Sequence, residues 1–362
     1  MKITFLSAAN NYHTKKWCGY FISKGYEVSV ISFFPGKIDG VDVRFIDCGM
    51  SASKSDGKKI TYLFQARKVK KIIQEIKPDI ISVHYASSYG AVAAIAGLKD
   101  YYLSVWGSDV YEFPEKSIFH KILIQYSLKR ATHLLSTSKA MAIHASKYTN
   151  KKFRITPFGV KTDIFNPDKR NRQDNTFIIG TVKALDPKYG IDYLIKATAI
   201  FKRNNPNVRF QLRIAGKGVY REEYEKLADS LGLNEETIWL GFISQEECAK
   251  EWANMDIAVI PSTVESESFG VSAIEAQACG TAVIISDIPG LMEATKPRQT
   301  CIVVKRKDEI EIANAISELY HNGDLRKKMG KNGIKFVEET YSYEKCFNDI
   351  EKLFISNINK RN

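Results

Sequence analysis

Short runs of β-branched and aromatic residues alternate with longer amphipathic stretches along the whole chain, and this alternation is the tightest constraint on its fold. Strand candidates fall at 2–7, 27–33, 42–46, 79–83, 101–105 and 133–137. A second series follows at 177–182, 209–214, 237–241, 256–260 and 281–285. Strands separated by helices predict parallel α/β architecture. Residues 60–77 illustrate the helical pattern: Tyr62, Leu63, Ala66, Val69, Ile72, Ile73 and Ile76 share one face, and Pro78 ends the run.

A length of 362 residues is too great for one ordinary core and fits two domains. The polar stretch NPDKRNRQDN at 166–175 separates the two strand series and reads as a linker. The predicted fold is therefore α/β, with two Rossmann-like domains at 1–165 and 166–340 facing each other across a cleft. Ligands of open α/β sheets bind at the carboxyl ends of the strands, so the site is expected there.

The composition, 44% apolar and 26% charged, is that of a folded globular chain. No apolar run reaches the roughly 18–20 residues of a spanning helix. The start, MKITFLSAANN, reads as a first strand rather than a leader. The six cysteines have no C-x-x-C pair, so thiols are expected rather than disulfides or a zinc site, and a cytoplasmic location follows. Charge is unevenly placed. Residues 1–165 hold 25 Lys and Arg against 12 Asp and Glu, whereas residues 166–362 hold 28 against 29. An anionic partner is expected for the first half.

The chemistry concentrates in PSTVESESFGVSAIEAQACGTAVIISDIPG, residues 261–290. It begins where a strand ends, turns at Ser268-Phe269-Gly270, and starts a helix predicted to run to about Ala278, with Gly280 as its left-handed stop. The first amides of such a helix favour a phosphate, and Gly270 lets a ligand approach the backbone. Glu267 stands before the helix and Glu275 inside it, about one turn behind those amides. A deeper carboxylate suits the hydroxyl pair of a ribose.

ESFGVSAIEAQACGTAVIISDIPG resembles the signature of the retaining family 4 glycosyltransferases of GT-B fold, also called glycosyl transferases group 1. The resemblance implies that Glu267 contacts the donor sugar, that Phe269, Gly270 and Val271 line sugar and phosphate, and that Glu275 holds the ribose. GTVKALDPKYGIDYLIKA at 180–197 resembles the family's first donor-domain strand, loop and helix, which puts Lys183 and Lys188 on the diphosphate. The family more often has Arg at the first position, and Lys directly before the glycine where this chain has Tyr189. RIAGKG (213–218) supplies Gly216, and WLGFIS (239–244) supplies Gly241 and Phe242 along the nucleobase.

The amino-terminal half resembles the family's acceptor domain more loosely. SVWGSDV at 104–110 carries Trp106 where the family often has His, while Asp109 stays in place as a candidate catalytic residue. Asn10, Asn11 and His13 in the first loop, and His84 at a strand end, are the acceptor-side candidates. STSKAM (136–141) and PFGVKTDIFNP (157–167) match the connection into the donor domain, and the tail, about 341–362, is expected to fold back on the first domain as a helix.

The implied activity is transfer, with retention, of a hexose or N-acetylhexosamine from a nucleotide-diphosphate sugar to a saccharide or lipid-linked saccharide, with UDP the favoured nucleotide. Surface polysaccharide or lipopolysaccharide assembly is the expected setting. No cofactor and no metal is expected; the nucleotide sugar is a co-substrate, and the chain has no D-x-D motif. Stretch 54–77, with Lys54, Lys58, Lys59, Arg67, Lys68, Lys70 and Lys71, and the basic helix 117–130 are expected to favour peripheral contact with an anionic membrane. A nucleotide-sugar epimerase and a basic nucleic-acid-binding protein are the alternatives. No helix-turn-helix, RNA-binding aromatic signature or zinc finger accompanies the basic half, so no nucleic-acid partner is expected.

Overall fold

The computed structural model describes residues 1–49, 61–172 and 175–359. It divides into two compact units, one of Met1–Phe158 with Phe347–Asn362, the other of Gly159–Cys346. The first unit therefore ends seven residues before the position read from sequence. The stretch 166–175 does not hang between units: Arg172 reaches Asp256 at 2.6 Å and Arg170 reaches it at 3.3 Å, both inside the second unit.

In the first unit the strands are β1 Lys2–Leu6, β2 Glu27–Ser32, β3 Asp42–Phe45, β4 Ile80–His84, β5 Tyr102–Val105, β6 His133–Ser136 and β7 Phe153–Ile155. All pair in parallel, in the order β3-β2-β1-β4-β5-β6-β7. The helices between them are α1 Tyr12–Ser23, α2 Ala66–Ile76, α3 Ala91–Ile95, α4 Ser108–Tyr111, α5 Ile118–Arg130 and α6 Lys139–Ala145. The run expected as one helix over 60–77 is a 3₁₀ turn, Thr61–Gln65, continued by α2. Lys77 closes α2 in the left-handed conformation and Pro78 follows. Lys54, Lys58 and Lys59 lie outside the described residues.

In the second unit the strands are β8 Phe177–Val182, β9 Phe210–Ala215, β10 Thr237–Gly241, β11 Ile257–Ile260, β12 Ala282–Ser286 and β13 Cys301–Val304. Their order is β10-β9-β8-β11-β12-β13, again parallel. The helices are α7 Ile191–Asn204, α8 Arg221–Ser230, α9 Gln245–Asn254, α10 Val271–Ala278, α11 Pro289–Glu293, α12 Glu309–His321 and α13 Gly323–Tyr341. Helix α14, Tyr343–Ile358, carries the chain back into the first unit.

Strands covered by helices on both faces are apolar without alternation, and β1, β4, β8, β11 and β12 read that way. Each unit has its own core, built around Leu6, Val83 and Leu103 in the first and Ile179, Leu212 and Ile284 in the second. Helix α14 completes the first: Phe347 and Phe354 are fully buried, their rings 5.3 and 6.4 Å from Trp17. Tyr20 and Tyr26 donate hydrogen bonds to Glu351 on the same helix. All six cysteines are buried. Among the described residues, no helix is long and apolar enough to cross a membrane.

Strand order reverses between β1 and β4 in one unit and between β8 and β11 in the other. Crossovers leave in opposite directions there, and a crevice opens at the strand ends.

Candidate functional site

The reversal in the second unit collects the donor-side candidates. Lys183 follows β8, and its amide donates to the carbonyl of Ala215 at 2.9 Å. Gly216 follows β9, and its amide donates to Gly241 at the end of β10 at 2.7 Å. Three neighbouring strand ends are thus stitched side by side. Gly216 has φ +138°, and a Cβ there would lie 1.8 Å from the Lys183 carbonyl oxygen, so only glycine lets these two loops touch.

From the next strand, β11, comes the loop that carries Glu267. Its Oε2 accepts from the Lys183 ammonium at 2.7 Å and from the Ser262 hydroxyl at 3.4 Å. Helix α10 follows. Gly270 is its N-cap, at φ +74° and ψ +45°, and offers no side-chain acceptor. The Ala273 and Ile274 amides turn back to the Gly270 carbonyl at 3.0 and 3.2 Å, so the Val271 and Ser272 amides are the ones left at the positive end of the helix dipole for a ligand. Ser272 anchors this turn by donating to the Val182 carbonyl at 3.2 Å. A phosphate, a sugar hydroxyl or another anionic group is what such a place can hold.

Phe269 serves differently from its amide. The ring is buried edge-on against Tyr341, with centroids 5.5 Å apart, so the side chain fixes the loop. Val271 opens α10 and is half-buried. Glu275 lies one turn further, nearly buried beside α9. Burial, helped by the Glu275 charge, pushes the Cys248 thiol up to about 12. Phe242 is exposed, with the Lys217 ammonium 4.9 Å from its ring centroid.

Lys188 is half-buried on the 3₁₀ turn Pro187–Tyr189. Its carbonyl accepts from the Thr263 amide at 2.8 Å, tying the turn to the Glu267 loop. The residue missed by sequence reasoning is Tyr189. Its ring centroid lies 4.8 Å from the Lys183 ammonium and 5.2 Å from that of Lys188, so one aromatic ring holds both cations. Its place directly before Gly190 was the available signal. Gly290 is a second omission: a Cβ there would meet the Glu267 carbonyl at 2.5 Å, so it backs the same loop.

In the first unit the structure corrects several roles. Asp109 is fully buried, and its carboxylate accepts from the amides of Ala86 (2.8 Å), Gly107 (2.8 Å) and Trp106 (3.1 Å). Burial pushes its carboxyl above the usual range. All its contacts go to loop backbone, so it is a positioning residue and not a catalytic one. His84 is also fully buried, with Nδ1 3.1 Å from Ser7 Oγ and Nε2 3.3 Å from Ser82 Oγ. It cannot meet an acceptor. Asn11 caps α1 through the amides of His13 and Thr14.

His13 stacks on Phe158 at 3.9 Å, and burial, with Lys16 nearby, lowers it to about 3. Neutral at physiological pH, it presents no charge to a phosphate. Of the four acceptor-side candidates only Asn10 is exposed.

Family models match both units. Residues 163–336 match glycosyl transferases group 1, and residues 2–138 match glycosyl transferase 4-like. An uncharacterized glycosyltransferase of Methanocaldococcus jannaschii is 27% identical over 299 residues, 82% of this chain and 80% of that protein. Sucrose-phosphate synthase of Thermosynechococcus elongatus superposes with a TM-score of 0.86 at 20% identity, over 99% of this chain and 100% of that one. Anabaena HepE, solved with UDP and glucose, gives 0.81 at 18% identity over 98% and 100%. These likenesses confirm two Rossmann-like units of GT-B type. With its two halves matched by these two models, the chain is a glycosyltransferase of GT-B fold whose second unit carries the match to group 1.

Proposed function

We propose that this glycosyltransferase moves a hexose or N-acetylhexosamine from a UDP sugar to a hydroxyl of a saccharide or lipid-linked saccharide, with retention, as a family 4 enzyme. The observation that carries the reading is the meeting of Lys183 and Glu267 at 2.7 Å beside the uncapped start of α10. A departing diphosphate needs cations and amides where its charge develops, and Lys183, Lys188 and the amides at 269–271 are grouped to supply them. Each such donor is worth about 3 kcal/mol in a closed site. Glu267 then orients the sugar and Glu275 holds the ribose.

Glu267 is ion-paired with Lys183, and we assign no side chain among the described residues as a covalent nucleophile. Front-face displacement therefore fits best: the acceptor hydroxyl attacks from the leaving-group side and its proton goes to the diphosphate. This reading assigns charge stabilisation to the lysines and amides, without a metal or cofactor. UDP as the nucleotide is supported by its presence in the HepE structure. Bacterial surface polysaccharide or lipopolysaccharide assembly at the cytoplasmic side of the membrane is the setting that fits a lipid-linked acceptor.

The test is thermal stabilisation by uridine, guanosine and adenosine diphosphates, with wild type beside Glu275→Ala. At about 100 times Kd a bound nucleotide adds roughly 2.7 kcal/mol. UDP should stabilise wild type and not the variant. No shift with any nucleotide at millimolar concentration removes the donor-site reading. Incubation with UDP sugar alone should leave the sugar's stereochemistry unchanged; an epimer would point to isomerisation instead.

A further inference from the structure

Beside the Pro187–Tyr189 turn the second unit holds an open pocket of about 740 Å³, the size of a small-molecule site. Its walls come from α7, α8, the start of the Glu267 loop and the segment after β13. Of the donor-side residues only Lys188 lines it; Lys183, Gly216, Glu267, Gly270 and Glu275 do not. The pocket is therefore a place of its own, unused by the donor reading.

Four lysines line it, Lys188, Lys196, Lys226 and Lys307, against two carboxylates, Asp192 and Glu223. Lys196 is held 3.4 Å from Asp192 and 5.0 Å from the centroid of the Tyr193 ring, and Lys226 pairs with Glu222 at 2.7 Å. Among the described residues neither Lys188 nor Lys307 has an ion-pair partner. The Glu267 loop links these two: the Lys188 carbonyl accepts from the Thr263 amide at 2.8 Å, and Glu265 meets Arg306, the neighbour of Lys307, at 3.6 Å.

The helices supply groups of another kind. Tyr224 lines the pocket at 2% exposure, and its hydroxyl has no hydrogen-bond partner among the described residues. A buried hydroxyl left so is the exception in a folded chain and points to a polar group from outside it. Burial, with the Asp192 and Glu223 charges nearby, pushes that hydroxyl above its usual range, so it keeps a proton to donate. The Asp192 carboxylate accepts from hydroxyls, and Tyr193 and Leu227 add apolar surface.

We propose that this pocket binds a phosphate monoester of a sugar or polyol, with the phosphate toward Lys188 and Lys307 and the hydroxyls toward Asp192 and Tyr224. A monoester carries a charge of about −1.5 to −2 near pH 7, which two cations without carboxylate partners match. A neutral sugar would leave both uncompensated. The proposal concerns a second ligand and stands apart from the reading of the donor site.

Titration calorimetry tests it with mannose 6-phosphate, mannose and inorganic phosphate. Wild type should bind mannose 6-phosphate at least tenfold more tightly than inorganic phosphate, and mannose not measurably. Lys307→Asn removes the charge and suits the left-handed backbone there, φ +61°. Its melting temperature should hold while affinity falls about tenfold, the worth of one charged hydrogen bond. Tyr224→Phe should weaken binding threefold or more with no loss of melting temperature, because the hydroxyl it removes has no partner among the described residues. Lys183→Met, outside the pocket, should leave the affinity within about twofold even where UDP binding is lost. Four results would overturn the proposal: no binding of mannose 6-phosphate, binding no tighter than that of inorganic phosphate, full affinity in either pocket variant, or loss of binding in folded Lys183→Met.

Discussion

The Lys183 ammonium stands 2.7 Å from Glu267 Oε2, with each side chain about one-tenth exposed. In the proposed reading, the cation assigned to the diphosphate is neutralised, before a donor arrives, by the carboxylate assigned to the sugar. Removing either partner strands a largely buried charge. Lys183→Met and Glu267→Leu should each cost about 2 kcal/mol of stability, discounted for that exposure. The double variant should recover part of the loss. Activity should not recover: kcat/KM should fall at least a hundredfold, about 3 kcal/mol, in all three. A double-mutant cycle read by both melting and kinetics checks this, and strictly additive stabilities would refute it.

Tyr189 holds both lysines on one ring. Tyr189→Leu should raise the KM for donor roughly threefold to tenfold, the worth of two modest cation–π contacts. Tyr189→Phe keeps the ring and should behave as wild type. Steady-state kinetics of the two variants decide between the ring and the hydroxyl.

Asp109 gathers three backbone amides. Asp109→Asn turns an amino group toward at least one of them and should cost about 2 kcal/mol of stability. Because the carboxylate is fully buried against the amides of Ala86, Trp106 and Gly107, the variant should keep UDP affinity within about twofold, measured by titration calorimetry.

Acid should destabilise the protein through His13 and His84. Burial lowers both from 6.5 to about 3, with Lys16 adding to the effect on His13 and His13 to that on His84. The unfolded chain takes up protons near pH 6.5, whereas the folded one does not until about pH 3. Stability present above pH 6.5 is therefore lost as pH falls toward 3. At pH 5 the loss is about 2 kcal/mol for each imidazole. His84→Gln should make the acid limb of the melting profile shallower by about one proton. A melting temperature flat from pH 7.5 to 5 in wild type would contradict the assignment.

The strand–helix alternation was legible because buried parallel strands are apolar throughout, and that signal needs no tertiary information. It missed β7, three residues with a half-exposed pattern, and β13, of four residues, each the last strand at one end of its sheet. The loop before α10 was legible too, because Glu267, Gly270 and Gly280 each answer a local geometric demand. Asp109 and His84 show the limit. Both stand at strand ends, as read, but a polar side chain there can turn outward or back into the loop beneath it. That choice depends on which amides and hydroxyls the fold brings near, and Ala86 and Ser7 are distant in sequence from the residues they meet. Tyr189 was noticed only as an irregular residue before a glycine, since the lysines it joins converge only once the turn Pro187–Tyr189 has formed.

The return of α14 sets an order of assembly. The chain leaves its first unit at Phe158 and re-enters at Phe347, and Phe347 and Phe354 fill the space beside Trp17 and Phe21. On the ribosome, residues 1–158 emerge first with that aromatic gap open, and the whole of Gly159–Cys346 is synthesised before it can close. The first unit is thus begun before the second and finished after it, because Phe347 and Phe354 must be made before its core can close.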